Sequence, residues 1–236
     1  MRRNSSGGYR NFLAMKRASN PAISILVPAF NQGRYLSRCI RSLLNQSEPK
    51  EDYEIVVIDD GSDDNTDQVL DAFSTVVRAF RQETNLGLPS ALNVGLDRAR
   101  GEFIVRVDAD DFVNEFFLTC LRTYIQLNSE CDAVACDYLL VDEEEQVLER
   151  KNAADAPIAC GIMFKKSQML KVGGYNERYL VHEDREFRLR FERYFEVERL
   201  AIPLYRYRRH GQNLTNDSVA VARFDGMLRN EFQELD

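Results

Sequence analysis

The sequence predicts an α/β fold: an open, mainly parallel twisted sheet with helices on both faces. Three observations predict it. Short apolar runs that read as buried strands alternate with segments of helical periodicity. Three of those strands each run at their carboxyl end into a polar cluster, and in such sheets ligands bind beyond that end. The chain, 236 residues with 44% apolar and 29% charged side chains, is long enough to bury one substantial core.

The elements follow in order. Ala22 to Val27 is an apolar run ended by Pro28, the first strand. From Tyr35 to Asn45, Leu36, Ile40, Leu43 and Leu44 repeat at helical spacing and give a helix one apolar face. Tyr53 to Ile58 is the second buried strand, and it enters Asp59-Asp-Gly-Ser62. Helical material covers roughly 65–74 and 88–99, and Glu102 to Val107 is a third strand entering Asp108-Ala-Asp-Asp111. Phe117, Cys120, Leu121, Tyr124 and Ile125 share a face of the next helix. Residues 132–150 read as strand material around an acidic turn at Asp142 to Glu145, and 157–164 as another strand. Lys166 to Lys171 and Glu183 to Tyr194 read as helices, and 203–208 as a late strand. No internal repeat appears, so one domain is expected over 21–217. It is flanked by a basic tail over 1–20 and a C-terminal helix over 218–236 that packs on the domain or at an interface.

The tail holds Arg2, Arg3, Arg10, Lys16 and Arg17 with no acid, and its Asn-Ser-Ser-Gly-Gly run reads as flexible. Net charge is −7, and setting those five cations aside leaves the body near −12. An acidic body suits divalent cations and argues against nucleic acid as a partner. Five cysteines without C-x-x-C spacing indicate neither a disulfide framework nor a zinc site, and a reducing cytoplasm is expected. No apolar stretch of about 18 residues is present to span a membrane. Peripheral contact of the basic tail with anionic lipid at the inner face is left open.

Two carboxylates one residue apart at a strand end, Asp108 and Asp110, can share a hard cation that takes its other ligands from water and phosphate. Taken alone, the cluster reads equally as a solvated acidic turn. Asp59-Asp-Gly-Ser62 reads as a turn and helix cap as readily as a ligand loop, and its glycine falls too early for an EF-hand. His210 ends Tyr205-Arg-Tyr-Arg-Arg, a basic aromatic strand suited to an anion or, as plainly, to balancing nearby acids. Glu183-Asp184 at a helix start is either a salt-bridged cap or a tuned general base.

Together the clusters are far more specific. Pro28-Ala-Phe-Asn31, Asp59-Asp-Gly-Ser62, Asn85-Leu-Gly87 with Ala91-Leu-Asn93 and Gly101-Glu102, Asp108-Ala-Asp-Asp111, Glu183-Asp184 and Tyr207-Arg-Arg-His210 occur in that order. This succession, over about residues 20–216, closely resembles the inverting glycosyltransferases of family 2, which have the GT-A fold. The resemblance implies a nucleotide-sugar donor, UDP by default with dTDP or GDP as alternatives. It implies a saccharide or lipid-linked saccharide acceptor, and Mn²⁺ or Mg²⁺ as cofactor. It implies that Phe30 stacks on the nucleotide base, that Pro28 and Asn31 line it, and that Asp60 accepts from the base imide. Asp108 approaches the ribose or the metal's water shell, Asp110 and His210 hold the metal, and Arg208 helps hold the leaving group. Asp184 is then the base, with Glu183 beside it.

The chain has no Trp, hence no Q-x-x-R-W motif, and so resembles the non-processive members. Asp137 to Ala156, expected on the acceptor side, matches no known motif. Two other classes stay open: a nucleotidyltransferase of related fold and a catalytically silent nucleotide-sugar-binding subunit. The first lacks the Gly-rich phosphate loop such enzymes place after the first strand, and retention of Asp110, Asp184 and His210 speaks against the second.

Overall fold

A computed structural model of the chain describes residues 20–211 and 218–232. The expected tail, Asn20 apart, lies outside them. The chain runs β1 (Ile23–Ala29), α1 (Leu36–Leu44), β2 (Tyr53–Asp59), α2 (Thr66–Ala72), β3 (Arg78–Arg81), α3 (Leu88–Arg98), β4 (Phe103–Arg106), β5 (Phe112–Val113) and α4 (Phe117–Leu127). It continues through β6 (Ala133–Val141), β7 (Val147–Lys151), β8 (Ile162–Lys165), α5 (Lys166–Lys171), α6 (Glu183–Phe191), β9 (Val197–Arg208) and α7 (Ser218–Phe232). Strand order in the sheet is β3-β2-β1-β4-β8-β6-β9-β5, with β7 on β6. The strands β3, β2, β1 and β4 are mutually parallel, so β1, β2 and β4 deliver their carboxyl ends to one rim. Beyond β4 the sheet is mixed: β8 is antiparallel to both neighbours, β6 and β9 are parallel, and β5 is antiparallel to β9.

Side chains alternate across each strand with period two. Ile23, Ile25 and Val27 of β1, Ile55 and Val57 of β2 and Val105 of β4 face one core, shared with Leu36, Ile40 and Leu43 of α1 and Phe117, Leu121 and Ile125 of α4. Leu26, Val56, Ile58 and Ile104 face the other, against Leu92 and Leu96 of α3 and Phe187 and Phe191 of α6. Burial on both faces explains why these strands are continuously apolar in sequence. A third cluster joins Phe224 and Leu228 of α7 to fully buried Tyr179, so the C-terminal helix packs on the loop that leads into α6.

Several elements differ from expectation. β9 starts at Val197 instead of 203, because Val197–Leu200 pairs with Ala133–Cys136. Its alternating charged residues hide that pairing, and Pro203, which has no N–H, falls where the register shifts. Residues 157–161 are irregular, with Gly161 at φ +71°, and only Ile162–Lys165 form β8. The edge strand β3 (sequence RAFR) and the two-residue β5 carry no apolar run and were not expected.

Gly101 lies against β1 at the foot of this frame. The buried Ser24 hydroxyl accepts the Gly101 and Arg100 amides at 2.8 and 3.1 Å and donates to Glu54 at 2.7 Å. A Cβ on Gly101 would sit 2.5 Å from the Ser24 backbone nitrogen. Gly101→Ala should therefore lower unfolding free energy by about 1–3 kcal/mol, the range for overpacking. Urea denaturation checks it, and an unchanged midpoint would mean the two strands part without strain.

Candidate active site

At the rim, the exits of β1 and β2 are bonded to each other. Asn31, at φ +54°, donates its amide to Ser62 Oγ at 2.9 Å, and its Oδ1 accepts the Asp63 amide at 2.9 Å. Gly33 donates to Asp64 at 2.9 Å. Gly61 has φ +75°, and a Cβ there would lie 2.6 Å from the Thr84 carbonyl carbon, so glycine is required twice over. Pro28 is buried within β1, and Phe30 stands 41% exposed beside it. Asp60 is buried, and its carboxylate accepts from Gln82 Nε2 and the Leu86 and Gly87 amides at 2.5, 2.8 and 2.8 Å. It thereby fixes the turn into α3.

The Asp108–Asp111 turn is held by three separate partners. Arg106, at the end of β4 and 6% exposed, donates from Nε and Nη2 to the two Asp108 oxygens at 2.6 and 3.0 Å. Its Nη1 donates to Glu183 Oε1 at 2.8 Å. One guanidinium thus ties the β4 turn to the first residue of α6. Burial pushes the Glu183 carboxyl up to about 7 against the opposing pull of Arg106, with the neighbouring Asp184 charge adding to the rise. Asp111 is buried and accepts from Tyr205 Oη at 2.6 Å and from the Arg208 amide at 2.7 Å, which anchors the turn to β9. Its carboxyl is pushed well up by burial and by the charges of Asp110 and Asp108.

Asp110 points elsewhere. Its Oδ2 lies 2.8 Å from His210 Nε2, both side chains are mostly buried at the rim, and the Tyr35 ring packs 5.1 Å from the imidazole. A carboxylate and an imidazole this close can ligate one divalent cation, and Asp110 offers the oxygen chemistry that Mn²⁺ or Mg²⁺ prefers. Asp108, Asp111 and Cys160 also present ligand atoms within 4.8 Å of one another. That set fits a hard cation less well. Its carboxylates already bind Arg106, Tyr205 and β9, and Cys160 is a soft, fully buried thiol pushed well above its usual range by burial.

Arg208, expected to face the leaving group, is turned inwards. Nε donates to the Asp110 carbonyl at 2.8 Å, Nη1 to the Glu143 carbonyl at 2.9 Å and Nη2 to Glu145 at 3.0 Å, with the residue 2% exposed. It braces the Asp108–Asp111 turn and ties the 142–145 turn to it. Asp184 is half-buried and has no hydrogen-bond or ion-pair partner among the described residues. It lines a small pocket of about 40 Å³ with Pro157, Ile158, Tyr175 and Arg188. The structure therefore joins Asp108 to Glu183 and Asp110 to His210, while Phe30 and Asp60 stand apart at the β1–β2 end of the rim.

Sequence reasoning missed Arg106, Tyr205 and Glu145. Arg106 carried a signal: a cation inside Phe-Ile-Val-Arg-Val sits on a strand buried on both faces and needs a buried partner.

A family model, glycosyl transferase family 2, matches residues 24–199. The chain belongs to glycosyl transferase family 2. Among relatives, it is 37% identical over 126 residues to the glycosyltransferase GlyG of Streptococcus pneumoniae, a match covering 52% of this chain and 41% of that one. It is 38% identical over 105 residues to the poly(ribitol-phosphate) β-N-acetylglucosaminyltransferase TarS of Staphylococcus aureus, covering 43% and 18%. This family 2 chain thus spans less than half the length of either relative. In structure it is similar to S. aureus TarS in complex with UDP-GlcNAc, with a TM-score of 0.71 at 22% identity over 83% of this chain and 61% of that one. It is also similar to the mannosyltransferase PcManGT of Pyrobaculum calidifontis in complex with GDP-Man and Mn²⁺, with a TM-score of 0.69 at 15% identity over 89% and 65%. These likenesses establish the GT-A fold. No helix among the described residues is long and apolar enough to cross a membrane.

Replacing Arg106 by Met removes the cation from the buried Glu183 carboxylate and the half-buried Asp108. Arg106→Met should cost about 3–5 kcal/mol, as when one member of a buried pair is lost. Chemical denaturation reads this directly, and a cost below about 1 kcal/mol would show that Asp108 and Glu183 find water instead.

Proposed function

We propose that the protein transfers a sugar from a nucleoside diphosphate sugar, a UDP-sugar first, to a hydroxyl of a saccharide or lipid-linked saccharide, with inversion at the anomeric carbon. The observation that carries this reading is the link through Arg106. One buried guanidinium sets the Asp108–Asp110 turn, suited to a donor and its metal, against the α6 terminus that presents Asp184, a carboxylate with no partner among the described residues. The neighbours captured with UDP-GlcNAc and with GDP-Man and Mn²⁺ support a nucleotide-sugar donor. The name of TarS, a relative acting on poly(ribitol-phosphate), supports a polyhydroxylated acceptor.

On this reading the base lies against Phe30, near Pro28, Asn31 and Asp60, and Asp108 meets the ribose side. Asp110 and His210 would hold Mn²⁺ or Mg²⁺, which supplies positive charge to the leaving diphosphate when bound. Arg208 acts by holding Asp110 and the 142–145 turn in place, where the sequence had it touching the leaving group. Asp184 takes the proton from the acceptor hydroxyl as the oxygen attacks the anomeric carbon on the face opposite the leaving group. It suits that role because no partner among the described residues competes for its lone pairs. Glu183, buried and bound to Arg106, positions it. Of the three acids in the first turn of α6, Glu183 pairs with Arg106 and Glu186 with Arg190, and the helix dipole favours negative charge at all three. The enzyme then works in the cytoplasm, at or near the inner face of the membrane.

The test is nucleoside diphosphate release from a panel of sugar nucleotides with Mn²⁺. Asp184→Asn should cut turnover by about 10²–10⁴-fold, the usual worth of a general base, and leave nucleotide affinity unchanged. Near-normal turnover in this variant would remove Asp184 from the mechanism.

A further inference from the structure

Beyond the rim, α1, β5 and β9 border a broad, open cavity of about 550 Å³ that none of the donor-site residues lines. Arg38, Arg41, Asn45, Asn114, Glu115 and Arg206 supply its polar wall. The three guanidiniums differ. Arg38 grips Glu145 through Nε and Nη2, each at 3.0 Å, and lies 4.0 Å over the Phe112 ring. Arg41 is exposed, on the last turn of α1, with no carboxylate partner among the described residues. Arg206 is half-buried in β9. Its Nη1 donates to the Pro203 and Tyr205 carbonyls at 2.7 and 3.3 Å, and it too has no carboxylate partner among the described residues. Burial pulls its guanidinium below the usual arginine range, with no carboxylate to oppose the shift.

A partly desolvated cation without a counter-ion is unfavourable unless a ligand supplies the anion. Here, in a chain of net charge −7, Arg41 and Arg206 face one cavity against a single acid in its lining, Glu115. Asn114 adds an amide: its Oδ1 accepts the Phe116 N–H at 3.0 Å, and its two side-chain N–H donors have no partner among the described residues. Guanidinium forks with amide donors match the tetrahedral oxygens of a phosphate.

We propose that this cavity binds a phosphate group carried by the acceptor, an inference that rests on the transferase reading and extends it. Its place in the fold supports an acceptor rather than a donor phosphate. Phe112 follows directly on Asp110 and Asp111, and its ring packs against both Arg38, at the cavity wall, and Arg208, which stacks in turn on Tyr35 beside His210. The cavity is thus next to the reaction centre, yet neither Asp110 nor His210, where the donor diphosphate is assigned, lines it. A saccharide anchored here by one phosphate would extend past Phe112 towards the rim.

The probe is inorganic phosphate, titrated without metal and at constant ionic strength against chloride. Thermal unfolding is followed in the wild type, in Arg41→Gln and in Arg41→Gln with Arg206→Gln. UDP with Mn²⁺ is run in parallel on the same samples. Phosphate should raise the wild-type transition above the chloride control. The concentration for half the effect should rise at least tenfold in the double variant, with the UDP response unchanged. Arg41→Gln alone, at an exposed position, should show part of that loss and keeps the test sound if Arg206→Gln fails to fold. A phosphate response equal in all three proteins, or absent from the wild type, overturns the proposal. So does a silent phosphate titration coupled to sedimentation of the wild type, and not of the double variant, with phosphatidylglycerol vesicles, which would make lipid the source of the anion. Loss of the UDP response in every protein, with the phosphate difference intact, would count against the donor assignment and leave the cavity's ligand standing.

Discussion

Arg106 carries a charge into the interior of the sheet, and much of the rim is arranged around that fact. β4 is buried on both faces, so its cation must be neutralised there or the strand cannot sit where it does. Two carboxylates from distant parts of the chain answer it: Asp108, two residues on, and Glu183, at the start of α6. Desolvation makes such a triad costly to assemble, and leaving any member alone is costlier still. The β4 turn and the α6 terminus are therefore fixed relative to each other. What would otherwise be a mobile turn and a loosely docked helix become one unit, with Asp184 at a defined place beside it.

The remaining contacts extend that unit outwards. Asp111 bonds to Tyr205 and to the backbone of β9, and Arg208 of the same strand holds the Asp110 carbonyl and the 142–145 turn. On the other side, α7 secures the approach to α6. Tyr179 donates its hydroxyl to Glu231 at 2.7 Å, and Asp225 pairs with Arg185 and lies 3.4 Å from the imidazole of His182, the residue at φ +64° that opens the helix. The left-handed backbone at His182 is a strained state that persists only where its surroundings over-determine it, and α7 is part of those surroundings.

The parts of the fold legible in the sequence are those where periodicity and burial coincide. β1, β2 and β4 read as apolar runs because both their faces are covered, and α1, α3 and α4 read as helices because one face of each is. β3 and the first half of β9 were hidden because their residues are charged and their pairing is made by neighbours far away in sequence. Of the candidate site, Asp108, Asp110, Asp184 and His210 stand out as polar clusters at strand and helix ends. The role of Arg208 does not. An arginine beside a histidine after a strand suits phosphate, and nothing local shows that the 142–145 turn folds back to occupy it. Arg106 was obscured for the opposite reason, since its apolar neighbours mark a strand and draw attention from the one charge inside it.

The account stands on the donor diphosphate and its metal meeting at Asp110 and His210. Thermal unfolding with UDP, with and without Mn²⁺, in the wild type and in Asp110→Ala tests this most directly. At about 100 times the dissociation constant a ligand specific to the folded state adds roughly 2.7 kcal/mol, a readable shift. The account predicts that shift in the wild type with metal, little of it without, and none in Asp110→Ala. An equal shift in the variant, or one indifferent to metal, would contradict it.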